Sequence, residues 1–87
     1  MQAKWTQDEA IAFECARECI TDVMGICSAE IAEEEAKTLP SQSRIETLEA
    51  RLHVLSQERA ELSLKDHEKI AMIRAKYGAY IRAYREG

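Results

Sequence analysis

The chain has 87 residues, enough for one domain, and a domain this small buries only about 60% of its unfolded surface. It therefore needs either a compact helical bundle or a core shared between copies. Ala, Glu, Arg, Leu, Lys and Gln dominate, Asn is absent, Pro occurs only at 40 and Gly only at 25, 78 and 87; this favours helices and excludes a sheet, because no alternating β-type run is bounded by turn residues.

Thr6 opens the first element. Thr6-Gln7-Asp8-Glu9 has the spacing of a capping box, in which the hydroxyl and the carboxylate satisfy free amides of the first turn. Trp5 is placed to staple onto Ala10. Phe13, Ala16, Ile20, Val23 and Cys27 then recur three and four apart, with Ala12, Cys19 and Ile26 on one flank and Met24 and Ile31 on the other. That stripe is wider than a coiled-coil seam and predicts packing against two neighbours. Gly25 marks a bend or a close helix approach. The helix is predicted over about 7–37, because Pro40 forces Leu39 out of helical geometry.

Ser43 is the expected cap of a central helix over 43–62, with Glu46 completing a second capping box. Ile45, Leu48, Leu52, Leu55 and Leu62 follow at heptad spacing, interrupted by Arg59 and flanked by Glu49, Arg51 and Glu58. This is a narrow coiled-coil-like seam. Two continuations stay open. The helix either runs unbroken to Arg85 through a stutter with Asp66 in the seam, or Ser63 or Asp66 caps a third helix over 66–85. In that helix Ile70, Ile73, Tyr77, Ile81 and Tyr84 form a large face. Ala71, Ala75, Gly78 and Ala79 form a small-residue ridge suited to a second backbone.

The expected fold is all-α: a single helical domain over 1–87, with an antiparallel helical hairpin plus a C-terminal helix. It is a three-helix bundle, or, if 43–85 is unbroken, two long helices sharing a core in a dimer. Residues 1–40 carry three bases against nine acids, and 41–87 carry nine bases against seven. An up-down-up bundle is then expected to bring Glu30, Glu33, Glu34 and Glu35 opposite Lys76, Arg82 and Arg85.

Chemistry-bearing groups are few. Cys15 and Cys19 share a helix face and, with His53 or His67, have zinc-ligand character. Three cysteines on or beside an apolar stripe are better read as small core hydrophobes, and no thiol–base pair for nucleophilic catalysis is legible. No catalytic group, metal or cofactor is expected. An odd cysteine count, no leader pattern and no apolar run of membrane-spanning length point to the reducing cytoplasm.

The segment Lys76–Arg85 mixes bases with Tyr77, Tyr80 and Tyr84. Aromatic residues and Arg dominate interface energetics, so Tyr77, Tyr80, Tyr84, Arg82 and Arg85 are the candidate partner-binding residues, for another protein or for a homodimer. The same residues suit a nucleic-acid-associated regulator. The acidic patch Glu30, Glu33, Glu34 and Glu35 suits an inhibitor that mimics nucleic-acid phosphates.

The phrases EIAEEEAK, RIETLEARLHVLSQERAEL and EKIAMIRAKYGAYIRAY together resemble those of small helical proteins carried on phages, plasmids and integrative elements. The resemblance implies a bacterial accessory protein that binds and modulates a host or rival protein, and it assigns no site residues. The expected function is thus non-enzymatic protein–protein contact.

Overall fold

The computed structural model describes residues 6–87, so the expected Trp5 staple lies outside the described residues. Three helices follow in order: α1 (Gln7–Glu35), α2 (Gln42–Glu61) and α3 (His67–Glu86). Among the described residues there is no strand. α1 packs against both of the others, as its wide stripe requires.

The capping box of α1 forms as expected: Thr6 Oγ1 accepts the Glu9 amide at 3.1 Å, and Glu9 Oε1 accepts the Thr6 amide at 2.8 Å. The helix ends at Glu35 rather than Lys37. The Ala36 amide still reaches Ala32, but the Lys37 amide turns to the Glu34 carbonyl at 3.2 Å, the tightened last turn common at helix ends. Gly25 does not interrupt the helix, and it marks no close approach within the chain. It lies inside continuous, solvent-exposed helix, and a Cβ added there would meet nothing within 4 Å.

The N-cap of α2 lies two residues before the expected one. Ser41, not Ser43, is the N-cap; its hydroxyl accepts the Arg44 amide at 3.3 Å. The reason lies outside the local sequence. Glu34 Oε2, from the end of α1, accepts the Ser41 amide at 2.9 Å and pins the chain there. The cap is thus closed from α1 instead of by Glu46.

Residues 43–85 are two helices. Leu62 leaves helical geometry at φ −63°, ψ 129° and its side chain turns into the core. The reversal is held by Ser63 and Asp66: the Ser63 amide donates to Asp66 Oδ2 at 3.2 Å, and the Lys65 amide to Ser63 Oγ at 3.3 Å. Asp66 occupies the N-cap of α3, yet its carboxylate bonds backward to the turn rather than forward to the helix amides. Ser and Asp prefer such local bonds to helix interiors, which is why the unbroken helix does not form.

α2 runs antiparallel to α1, with Arg44 at Glu30 (3.4 Å) and Arg59 donating to Thr21 (3.0 Å). α3 runs parallel to α1, from His67 at Glu9 (2.6 Å) to Arg85 near Asp22 (3.9 Å). α2 and α3 meet through long side chains: Tyr77 donates to Glu58 at 2.7 Å, and the Arg51 guanidinium lies 4.8 Å from the Tyr80 ring centre. Ile20, Val23 and Cys27 of α1 and Ile73 of α3 are completely buried, and Leu55, Leu62, Ile70 and Ile81 join them in one cluster. Ile45 and Leu48 are also buried but lie outside that cluster.

The expected apposition of Glu30, Glu33, Glu34 and Glu35 with Lys76, Arg82 and Arg85 does not occur. α3 begins beside the first turn of α1 and is about 30 Å long against about 43 Å for α1. It stops short, and Arg85 reaches only as far as Asp22.

Candidate interaction surface

The five candidate partner-binding residues divide between the interior and the surface. Tyr77 is half-buried, and its hydroxyl is committed to Glu58. Burial first, and then that hydrogen bond, push its pKa up to about 12. Tyr80 is half-buried beneath Arg51. These two tyrosines join α2 to α3.

Tyr84 differs, with 45% of its surface exposed. It lines a cleft of about 290 Å³ with Ile81 and Arg85 on one wall and Asp22, Gly25, Ile26 and Ala29 on the other. The floor is apolar, and an acid and a base stand at its rim. Arg85 and Asp22, 3.9 Å apart and 71% and 52% exposed, form an ion pair of the kind that contributes little to stability. Arg82 is exposed, with Nη1 3.5 Å from the position a Cβ on Gly78 would take.

The cleft exists because α3 ends partway along α1 and because Gly25 and Ala29 carry almost no side chain. Sequence reasoning found Tyr84 and Arg85 but missed Asp22, Gly25 and Ala29. Only the relative lengths and starting levels of α1 and α3 could have indicated them.

The acidic patch is divided as well. Glu34 is 6% exposed, the one charged residue buried among those described. It takes the Ser41 amide and, at 2.9 Å, the Lys37 ammonium. The backbone bond first, then the Lys37 bond, hold its carboxyl below the usual carboxylate range. Glu30 faces Arg44. Only Glu33 and Glu35 remain exposed with no base within ion-pair distance among the described residues. Glu34 is therefore a clasp for the α1–α2 turn rather than part of an open acidic surface.

A second clasp lies at the opposite end. Glu9 accepts the Thr6 amide, the His67 ring at 2.6 Å and the Lys65 ammonium at 3.2 Å. The amide first, then His67 and Lys65, bring its pKa down to about 2. This ties the start of α1 to the α2–α3 turn. Beside it a second cleft of about 290 Å³ is lined by Asp8, Glu9, Ala12, His67, Ile70, Ala71 and Arg74.

The thiols are part of the fold. Cys27 is fully buried and Cys15 and Cys19 partly so. Burial raises the pKa of Cys19 and Cys27, which keeps both as thiols rather than the nucleophilic thiolate. His67, one of the two histidines considered as zinc ligands, is engaged with Glu9, and His53 is exposed on α2. Among the described residues no three His, Cys, Asp or Glu side chains converge on a common point. No described helix is long and apolar enough to cross a membrane. Comparison with known protein families, curated proteins and solved structures finds no match for this chain.

Proposed function

We propose that the chain is a non-enzymatic protein–protein interaction module, an accessory or modulatory protein of a bacterial mobile element. The observation that carries the interaction reading is the Tyr84 cleft. It combines a large, half-exposed aromatic, an apolar floor of Gly25, Ile26, Ala29 and Ile81, and a rim whose Arg85–Asp22 pair is long and exposed. An aromatic and an arginine beside a shallow apolar recess are the residues that carry most interface energy, and a recess floored by Gly25 and Ala29 accepts a side chain from outside. The mobile-element part rests on the resemblance of the three helical phrases.

The bases of α3 give little support to a nucleic-acid reading. Arg74, Arg82 and Arg85 share one side of α3, but no aromatic on that side is free to stack on a base, since Tyr77 and Tyr80 are half-buried toward α2, and Lys76 lies on another face. Arg85 leans toward Asp22, and Lys76 lies 5.6 Å from the Tyr77 ring centre.

The test is affinity capture from a cell extract of the source organism, compared between wild type and Tyr84→Ala. A protein partner is expected with wild type and lost by tenfold or more with the variant, because hot-spot aromatics cost about 2 kcal/mol or more when truncated. Circular dichroism of Tyr84→Ala should match wild type. Capture of nucleic acid alone, or equal capture by both forms, would overturn the reading.

A further inference from the structure

We infer that the side of the α1–α3 pair turned away from α2 is a homodimer interface, in which α1 of each copy lies along α3 of the other about a twofold axis parallel to the helices. This rests on the interaction-module reading above and names its partner, a second copy of this chain.

The face is open. Each of the two α1–α3 clefts is lined by residues of α1 and of α3 or its first turn, and by none of α2. Along this side α1 presents Ile11, Cys15, Glu18, Asp22, Gly25 and Ala29, spaced alternately four and three apart, the last three lining the Tyr84 cleft. All are exposed except Cys15, which is half-buried, and Ile11 is 53% exposed. α3 presents Ala71, Ala75, Gly78 and Arg82 at the same alternation, all exposed except the half-buried Gly78. Four of the six positions in the α1 row and three of the four in the α3 row are apolar or small, which suits a helix that lies along another helix. Within one copy these two rows have no helix to lie along. Their small side chains permit axes about 8 Å apart.

Charge selects the occupant and its orientation. The α1 row is acidic, through Glu18 and Asp22. The α3 row is basic, through Arg82, with Arg74 beside Ala71 in the adjoining cleft. Apart from the loose Asp22–Arg85 contact, none of these four has an opposite charge within 4 Å among the described residues. Because α1 and α3 run parallel and start at the same level, a twofold axis along them sets the acidic row of each copy against the basic row of the other, at matching heights. A twofold axis across the helices would set acids on acids and bases on bases, which is strongly disfavoured.

The area is sufficient. A two-helix face about 30 Å long and about 20 Å wide covers roughly 600 Å² per copy. The total of roughly 1,200 Å² lies at the lower edge of stable dimer interfaces.

A complementary charge reversal tests this arrangement. One variant carries Glu18→Lys and Asp22→Lys; the other carries Arg74→Glu and Arg82→Glu. Sedimentation equilibrium is expected to show a wild-type dimer. Each variant alone should dissociate about a hundredfold more readily, since like charges then meet at both contacts. The equimolar mixture should recover a dimer, because basic α1 then meets acidic α3. Circular dichroism establishes that each variant is folded. If either is not, a salt titration of the wild type serves: its dissociation constant should rise with ionic strength. A wild type monomeric at all concentrations, a dimer indifferent to both reversals or to salt, or folded variants whose mixture stays monomeric would overturn the inference. A monomeric wild type that still captures a protein through Tyr84 would leave the interaction-module reading standing and remove only the dimer.

Discussion

At the scale of single residues, two carboxylates fasten the ends of the molecule, and neither could have been assigned from its neighbours in sequence. Glu34 stands in a run of glutamates, yet only it meets the Ser41 amide across the turn. Glu9 was expected to serve its own helix, and it also collects Lys65 and His67 from the α2–α3 turn, 56 and 58 residues away. The pH consequence follows from the direction of the shift. The Glu9 carboxyl falls from an ordinary 4.5 to about 2 in the fold. Its contribution is therefore full above about 4.5 and is lost as pH falls toward 2. Thermal melts of wild type and Glu9→Gln should differ by several degrees near neutral pH, wild type being more stable. The gap should close as pH falls from 4.5 to 2. A gap that persists at the acid end would mean the side chain acts through packing rather than charge.

At the scale of helices, the type of each element was legible because periodicity and breakers agree, and the boundaries were less so. The wide stripe around Ile20 and Val23 foretold two neighbours for α1, and Pro40 foretold the first turn. The cap of α2 was displaced because two serines compete for the role and Glu34, distant in sequence, decides between them. The break near Leu62 was legible only as one of two options, since seam spacing alone permits a stutter. Ser63 and Asp66 decide it by bonding each other. Of the interaction surface, Tyr84 and Arg85 were visible as residues, but the cleft was not. It depends on where α3 stops along α1, a tertiary fact with no local signature. Gly25 gives a clean test at this scale. It lies in regular helix with φ negative, exposed, with no atom within 4 Å of an added Cβ. Gly25→Ala should therefore stabilise the isolated chain by about 0.4–1 kcal/mol, a rise of a few degrees in Tm. Calorimetry at low chain concentration checks it, and a fall in Tm would mean that the backbone there is not relaxed helix.

At the scale of the whole molecule, α1 is the common support, and this should make stability uneven along the chain. α2 and α3 each lean on α1 and touch one another mainly through Glu58–Tyr77 and Arg51–Tyr80. The continuous cluster runs through Ile20, Val23, Cys27, Leu55 and Ile73. Leu48 is equally hidden at 3% exposure, but it belongs with Ile45 outside that cluster, on the part of α2 beside the last turns of α1. Truncating a buried Ile or Leu to Ala costs about 2–5 kcal/mol, less where the surroundings can close in. The total stability of a domain is only about 5–15 kcal/mol, and a small one lies near the lower end. Ile20→Ala removes atoms from the helix on which both others depend. It should shorten hydrogen-exchange protection in all three helices together and leave a broad, weakly cooperative melt. Leu48→Ala should cost less, raise exchange mainly across the α1–α2 turn, and leave the α1–α3 half near its wild-type protection, as expected of a sub-global opening. If Leu48→Ala instead lowers protection equally in α3, the three helices unfold as one unit. The support provided by α1 would then be a matter of geometry and not of energetics.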